Sequence, residues 1–213
     1  MLKPKKECNL KTNNGFTLIE TLVVIAVFVV IIGMVVFGIV FFYKTNAYTL
    51  EQTIAINDAR NGIERTSQDI REATYSDQGV YPIYQMSATT LYFYSDVDKD
   101  NSVERVKFYL DTDNSTFLRE ITNSSGNPLS YDGSYSTTTV EIISSHTRNN
   151  ALSEKIFSYY DNDGVEITDY NKMLEVAFVK IKLIVNVNPY RAPSDFELRS
   201  SASLRNFVAA PIE

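Results

Sequence analysis

The sequence predicts an α+β chain: one long N-terminal helix, apolar all round in its first half and one-sided in its second, packed on an antiparallel β-rich head. Three observations predict it. Residues 22–43 carry no charge over 22 positions, and residues 44–73 contain no proline and repeat isoleucine every seven positions. From Ala88 onward the chain breaks into short β-branched and aromatic runs separated by turn residues. About 170 of the 213 residues follow Tyr43, an ordinary size for one domain with its own core.

The first element is a short basic segment, with Lys3, Lys5, Lys6 and Lys11 ahead of Gly15. The run Gly15–Tyr43, GFTLIETLVVIAVFVVIIGMVVFGIVFFY, follows and holds a single charge, Glu20. At about 1.5 Å per residue the uncharged stretch covers roughly 33 Å, enough to cross a hydrocarbon core of about 30 Å. Positive-inside bias keeps the lysine-bearing end cytoplasmic and exports the remainder. A secretory signal has an apolar region of only about 7–15 residues and a small-residue cleavage site after it; this run is longer and has none. A carboxylate near apolar lipid costs roughly 2–4 kcal/mol, so Glu20 calls for a partner. Cutting between Gly15 and Phe16 would provide one, because the new amine lies four residues before Glu20 on the same helical face.

The pattern G-F-T-L-I-E before an apolar helix resembles the signal of type IV prepilins and type II secretion pseudopilins, over about Lys3 to Tyr43. The resemblance implies cleavage after Gly15 by a membrane aspartyl peptidase, the prepilin peptidase, and methylation of the new N-terminus at Phe16. It further implies that Glu20 neutralises the amine of a neighbouring subunit when the helices bundle into a filament at an inner-membrane assembly platform. The physics fits that role: an unpaired carboxylate and an unpaired amine are each costly in a low-dielectric bundle, so pairing them selects register. Residues 1–15 are then a leader, 16–43 the membrane and assembly half of the helix, 44–75 its exposed half, and 76–213 the head.

Removing the leader takes away four lysines and Glu7, and the formal charge moves from −6 to −9. The only cysteine, Cys8, leaves with it, so the mature chain forms no disulfide. An acidic chain of this kind is a poor match for nucleic acid.

The exposed half of the helix is expected to end near Ala73, with Ile56, Ile63 and Ile70 in one amphipathic stripe and Leu50, Ile54, Ala59 and Ala73 filling nearby turns. Gly33 and Gly38 lower helix propensity by roughly 1 kcal/mol each and are candidate soft points. Strands are expected at about Thr89–Ser95, Glu104–Asp111, Thr116–Thr122, Thr138–Ser144, Lys155–Tyr160, Met173–Val187 and Phe196–Ser203. Asn, Asp, Gly and Pro clusters at 96–101, 123–128, 131–134, 161–164 and 188–193 separate them into a meander. The long Met173–Val187 run switches its inward face once near Phe178, which predicts a bulge. The segments YFYSDVDKDNSVERVKFYLD, LREI, LSEKIFSYYDNDG, VAFVKIKLIV and FELRSSASLRN look like the larger minor subunits, the J-type of type II secretion and the W-type of type IV pili.

Asp96, Asp98, Asp100, Ser102 and Glu104 stand at positions 1, 3, 5, 7 and 9 of a calcium loop. Asn101 replaces the sharp-turn glycine and Lys107 the bidentate glutamate, and a solvated hairpin turn explains the same residues. Asp161, Asp163 and Gly164 read as a tight turn. Enzyme chemistry finds little material: His146 is the single histidine, in the polar stretch SSHTRNN, and no serine stands in a nucleophile motif. Tyr75, Tyr81 and Tyr84 around Pro82, and Tyr131 and Tyr135 at another turn, suit cross-strand packing or contact with a partner. Arg148, Arg191, Arg199 and Arg205 are scattered in sequence. The reading is a structural subunit with other pilins or pseudopilins as partners; the alternative is an anchored extracytoplasmic binding domain that joins no filament.

Overall fold

The computed structural model describes residues 15–132, 136–191 and 194–204. Lys3, Lys5, Lys6, Cys8 and Lys11 lie outside the described residues, as do Ser134, Tyr135, Pro193 and Arg205. The chain forms two compact units, Met1–Thr49 and Leu50–Glu213.

Helix α1 runs Leu18–Arg71, 54 residues. Its first turn is closed by Thr17, whose Oγ1 accepts the Glu20 amide at 3.3 Å. Thr17 and Glu20 have the T-x-x-E spacing of a capping box, a signal the sequence reading passed over. The helix therefore starts two residues later than the expected Phe16, and Gly33 and Gly38 lie uninterrupted within it. From Phe16 to Tyr43 the large apolar side chains are exposed, Phe37 by 75%. Among the described residues nothing in the first unit covers this surface, and an all-round apolar helix of this length suits lipid or other helices.

In the second unit the helix buries Ala55, Ala59, Gly62, Ile63, Thr66 and Ile70. Leu50 and Ile54, expected in the buried stripe, are instead 64% and 58% exposed. Small residues took their place because the helix approaches the sheet closely: a Cβ on Gly62 would lie 2.3 Å from Ile143 Cγ2.

The head holds two sheets rather than the single meander expected. The first is a five-stranded antiparallel meander of β1 (Ile83–Met86), β2 (Thr90–Ser95), β3 (Glu104–Asp111), β4 (Thr116–Thr122) and β5 (Thr138–Ser144). The second contains β6 (Phe157–Tyr160), β7 (Glu166–Ile167), β8 (Phe178–Val185) and β9 (Phe196–Ser203) in the order β7-β6-β8-β9. Strands β3, β4, β5 and β9 have the expected bounds. β1 and β7 were missed, being too short to show alternation. The bulge expected near Phe178 is absent: Met173–Glu175 is a 3-10 turn and β8 begins at Phe178, so the change of phase is a change of element.

A ladder of rings joins the sheets. Phe93, Phe108, Phe117, Phe157 and Tyr159 follow one another with centroids 5.8–6.4 Å apart, the step from Phe117 to Phe157 crossing from β4 to β6. The Ile156 and Phe157 amides both donate to the Ala88 carbonyl, and the Tyr159 hydroxyl donates to that of Ser87 at 2.9 Å. Buried Asn149 seals the edge of β8, donating to the Lys182 carbonyl and accepting the Ile184 amide, each at 2.9 Å.

Candidate functional site

Gly15, Phe16 and Thr17 precede α1 as non-helical chain. A Cβ at Gly15 would meet nothing within 4 Å among the described residues, so the chain's own packing sets no demand for glycine there. Phe16 is 79% exposed, and Glu20 is exposed in the first turn of a helix whose next charge is Lys44. A carboxylate there also favours the positive end of the helix dipole.

The acidic loop between β2 and β3 is well ordered by its own bonds. Asp98 accepts the Asp100 amide at 3.3 Å, Asp96 accepts the Asn101 amide at 3.3 Å, and Asp100 accepts the Ser102 amide and hydroxyl, each at 2.7 Å. The Ser102 bonds hold the Asp100 carboxyl below the ordinary range. Glu104, 1% exposed, accepts the Val97 amide and the Ser102 hydroxyl, and burial pushes its carboxyl up. Lys99 and Asn101 take left-handed backbone angles, φ 63° and 71°, the second where a calcium loop carries glycine. Asp96, Asp98 and Glu104 bring ligand oxygens within 4.8 Å of one another, and Asp96 Oδ1 is buried without a partner. Three carboxylates so placed fit a hard divalent cation. Ser102 joins that group through its hydroxyl bond to Glu104 and Asp100 through its amide bond to Asp98, bonds that are also those of a closed hairpin turn. Lys107 faces the other side of β3, 3.6 Å from Glu120 and over the rings of Tyr92 and Tyr109.

Asp161 Oδ1 accepts the amides of Asp163 and Val165, and Gly164 has φ 78°, the tight turn expected. His146 is exposed, and its Nδ1 lies 2.9 Å from the Ser145 hydroxyl. Tyr131 is no surface aromatic: it is 4% exposed, packs on Tyr94, and donates its hydroxyl to the Val103 carbonyl at 2.7 Å. Burial pushes that hydroxyl up to about 12.

The sequence reading also missed a buried ion pair. Arg119 on β4, 2% exposed, places Nη2 2.7 Å from Asp69 Oδ2 on α1 and Nη1 3.5 Å from Glu141 Oε2 on β5, while Arg65 reaches Glu141 at 2.7 Å. Arg119 Nε and Asp69 Oδ2 are buried without an aligned hydrogen bond, so the contact is close but poorly compensated. Burial raises the Asp69 carboxyl from 3.8 to about 6, outweighing the pull of Arg119 and Arg65.

Residues 10–36 match the family model of the prokaryotic N-terminal methylation motif. No curated protein and no solved structure matches the chain. The motif supports the type IV pilin and pseudopilin class; it implies processing by a prepilin peptidase and assembly with other pilins, and points to a structural rather than enzymatic protein. Helix α1 is long and apolar enough to cross a membrane once.

Proposed function

We propose that the chain is a minor type IV pilin or type II secretion pseudopilin of the larger, J-type or W-type kind. It is cut after Gly15, methylated at Phe16 and drawn from the membrane into a filament through the first half of α1. The observation that carries the reading is the methylation motif over residues 10–36, with Glu20 the one charge between Phe16 and Lys44. In this reading the apolar helix stores the subunit in the bilayer and then lines the filament core, where Glu20 meets the methylated amine of a neighbour. The head stands outside the cytoplasmic membrane.

Glu20 also sits at the third helical position after the Thr17 cap, where glutamine can fill the same capping role and gives up only the small dipole contribution of an exposed carboxylate. Glu20→Gln therefore separates charge pairing from capping. The variant is expected to insert and to be cleaved normally, but to reach sheared filaments at no more than about one-tenth of the wild-type amount, the lower bound on the loss being set by one lost charge-assisted hydrogen bond. Wild-type incorporation of Glu20→Gln would reduce the residue to a cap and defeat the pairing account.

A further inference from the structure

The outer face of the second sheet gathers cations on a chain whose overall charge is negative. Register places Lys182 directly opposite Arg199, and Lys180 opposite Ser158 on one side and Ser201 on the other. Like charges facing across antiparallel strands repel, so the fold itself gains nothing from the arrangement. Lys155 and Lys182 each meet one carboxylate, Glu166 at 3.0 Å and Glu154 at 2.5 Å. Arg199 meets Glu197 through Nε alone, which leaves its two terminal amino groups unbonded among the described residues.

Lys180 differs from these three. It meets no carboxylate among the described residues; its ammonium lies over the Tyr160 ring, 4.2 Å from the centroid, and 5.9 Å from that of Phe178. Those two rings are stacked 4.8 Å apart. A cation–π contact positions an ammonium without neutralising it, so a full positive charge is held in place on the surface.

Lys180, Lys182 and Arg199 line a depression of about 460 Å³ together with Lys155, Ser158, Tyr160 and one carboxylate, Glu154, which is paired with Lys182. A second depression of about 370 Å³ is lined by Phe178 of β8, by Ser201, Ala202 and Ser203 of β9, and by Arg71 of α1. From Phe178 to Lys182 the strand alone covers roughly 14 Å. A single small oxyanion needs neither that length nor the second depression.

We propose that this face binds an acidic polysaccharide. Its separated cations would take carboxylates spaced one or fewer per sugar, the serine hydroxyls would meet sugar hydroxyls, and the paired rings would pack against the C–H faces. A nucleic acid strand carries a charge every roughly 3.4 Å. Glu154 in the lining, with Glu166 and Glu197 beside Lys155 and Arg199, would repel such dense charge, yet leave room for a sparser polymer. The assignment needs only the folded head and stands apart from filament assembly.

The test uses the full-length protein in an uncharged detergent and a fluorescent oligogalacturonate, read by anisotropy. A neutral dextran of equal length and a single-stranded DNA oligonucleotide serve as comparisons. Oligogalacturonate is expected to bind, more weakly as ionic strength rises, and dextran is not. Lys180→Gln should weaken binding about fivefold and Lys180→Gln with Arg199→Gln should abolish it, the scale of exposed charge-assisted contacts. Both side chains are exposed, so the variants should unfold at the wild-type temperature; Lys99→Gln, in the β2–β3 loop, should bind as wild type. Absent oligogalacturonate binding, undiminished binding by the double variant, equal binding of dextran, or tighter binding of DNA would each overturn the assignment.

Discussion

Replacing Arg119 with alanine is expected to lower the stability of the head by about 4 kcal/mol at neutral pH, and by much less near pH 5. Removing one partner of a buried ion pair leaves the other charged and dry, which typically costs about 3–5 kcal/mol. Here the stranded group is Asp69, 8% exposed, on the helix that faces β4. Its carboxyl is already raised from 3.8 to about 6 by burial, with Arg119 in place. Because the folded pKa is above the unfolded one, the unfolded chain gives up this proton first as pH rises. Between about pH 4 and pH 6 the folded state holds more protons, and the contribution of Asp69 to stability falls as pH rises through that window. Without Arg119 the carboxyl climbs further, so the alanine variant suffers fully at neutral pH, while near pH 5 a protonated Asp69 needs no cation. Urea unfolding followed by tyrosine fluorescence at the two pH values reads the difference. An equal loss at both would assign the effect to the packing of the arginine stem and not to charge.

Gly62→Ala should cost about 3 kcal/mol, the upper range for forcing extra volume into a packed core. The added methyl would lie 2.3 Å from Ile143 Cγ2 and 2.9 Å from the Ile143 carbonyl oxygen. The first clash can be relieved by a side-chain shift; the second is with backbone and requires α1 and β5 to separate. For a chain of this size the melting temperature should fall by roughly 6–12 °C. Ile143→Ala carries its own cavity cost of about 2–5 kcal/mol, so the coupling is read within that background: there Gly62→Ala should cost less than in the wild type, because the side-chain clash is gone and only the backbone one remains. An unchanged melting temperature for Gly62→Ala would mean that helix and strand are not held this close.

Most of the fold was legible because its signals are local. The uncharged run fixed the first half of α1, and period-two alternation fixed β3, where Glu104, Val106, Phe108 and Leu110 face inward in turn. The same alternation set Arg119 on the face of Phe117, so the inward arginine was readable from LREI. Its partner was not, since Asp69 is 50 positions earlier and only the tertiary fold brings it near. Leu50 and Ile54 misled for a related reason: hydrophobicity marks a residue as able to be buried, while the close approach at Gly62 selected Ala55 and Ala59 for the contact. The division into two sheets turns on Asn149 and the linking segment near it, whose hydrogen bonds to β8 are long-range and leave no periodicity. At the candidate site, Gly15, Phe16 and Glu20 stood out because they stand in a fixed order at the head of an otherwise uncharged run, within the matched motif. The cation face did not, because Arg199 and Lys182 become neighbours only through the pairing of β8 with β9.

In the proposed maturation the Gly15–Phe16 bond is cut and the new N-terminus is methylated. The most direct test is the intact mass and N-terminal peptide of the protein from its native membranes, beside the same protein from cells lacking the prepilin peptidase. The account predicts a chain beginning at Phe16 with one added methyl in the first sample and the uncut chain in the second. A chain beginning at Met1 in both would contradict it, leaving a simple membrane-anchored β-rich domain in which Glu20 does no more than close a helix.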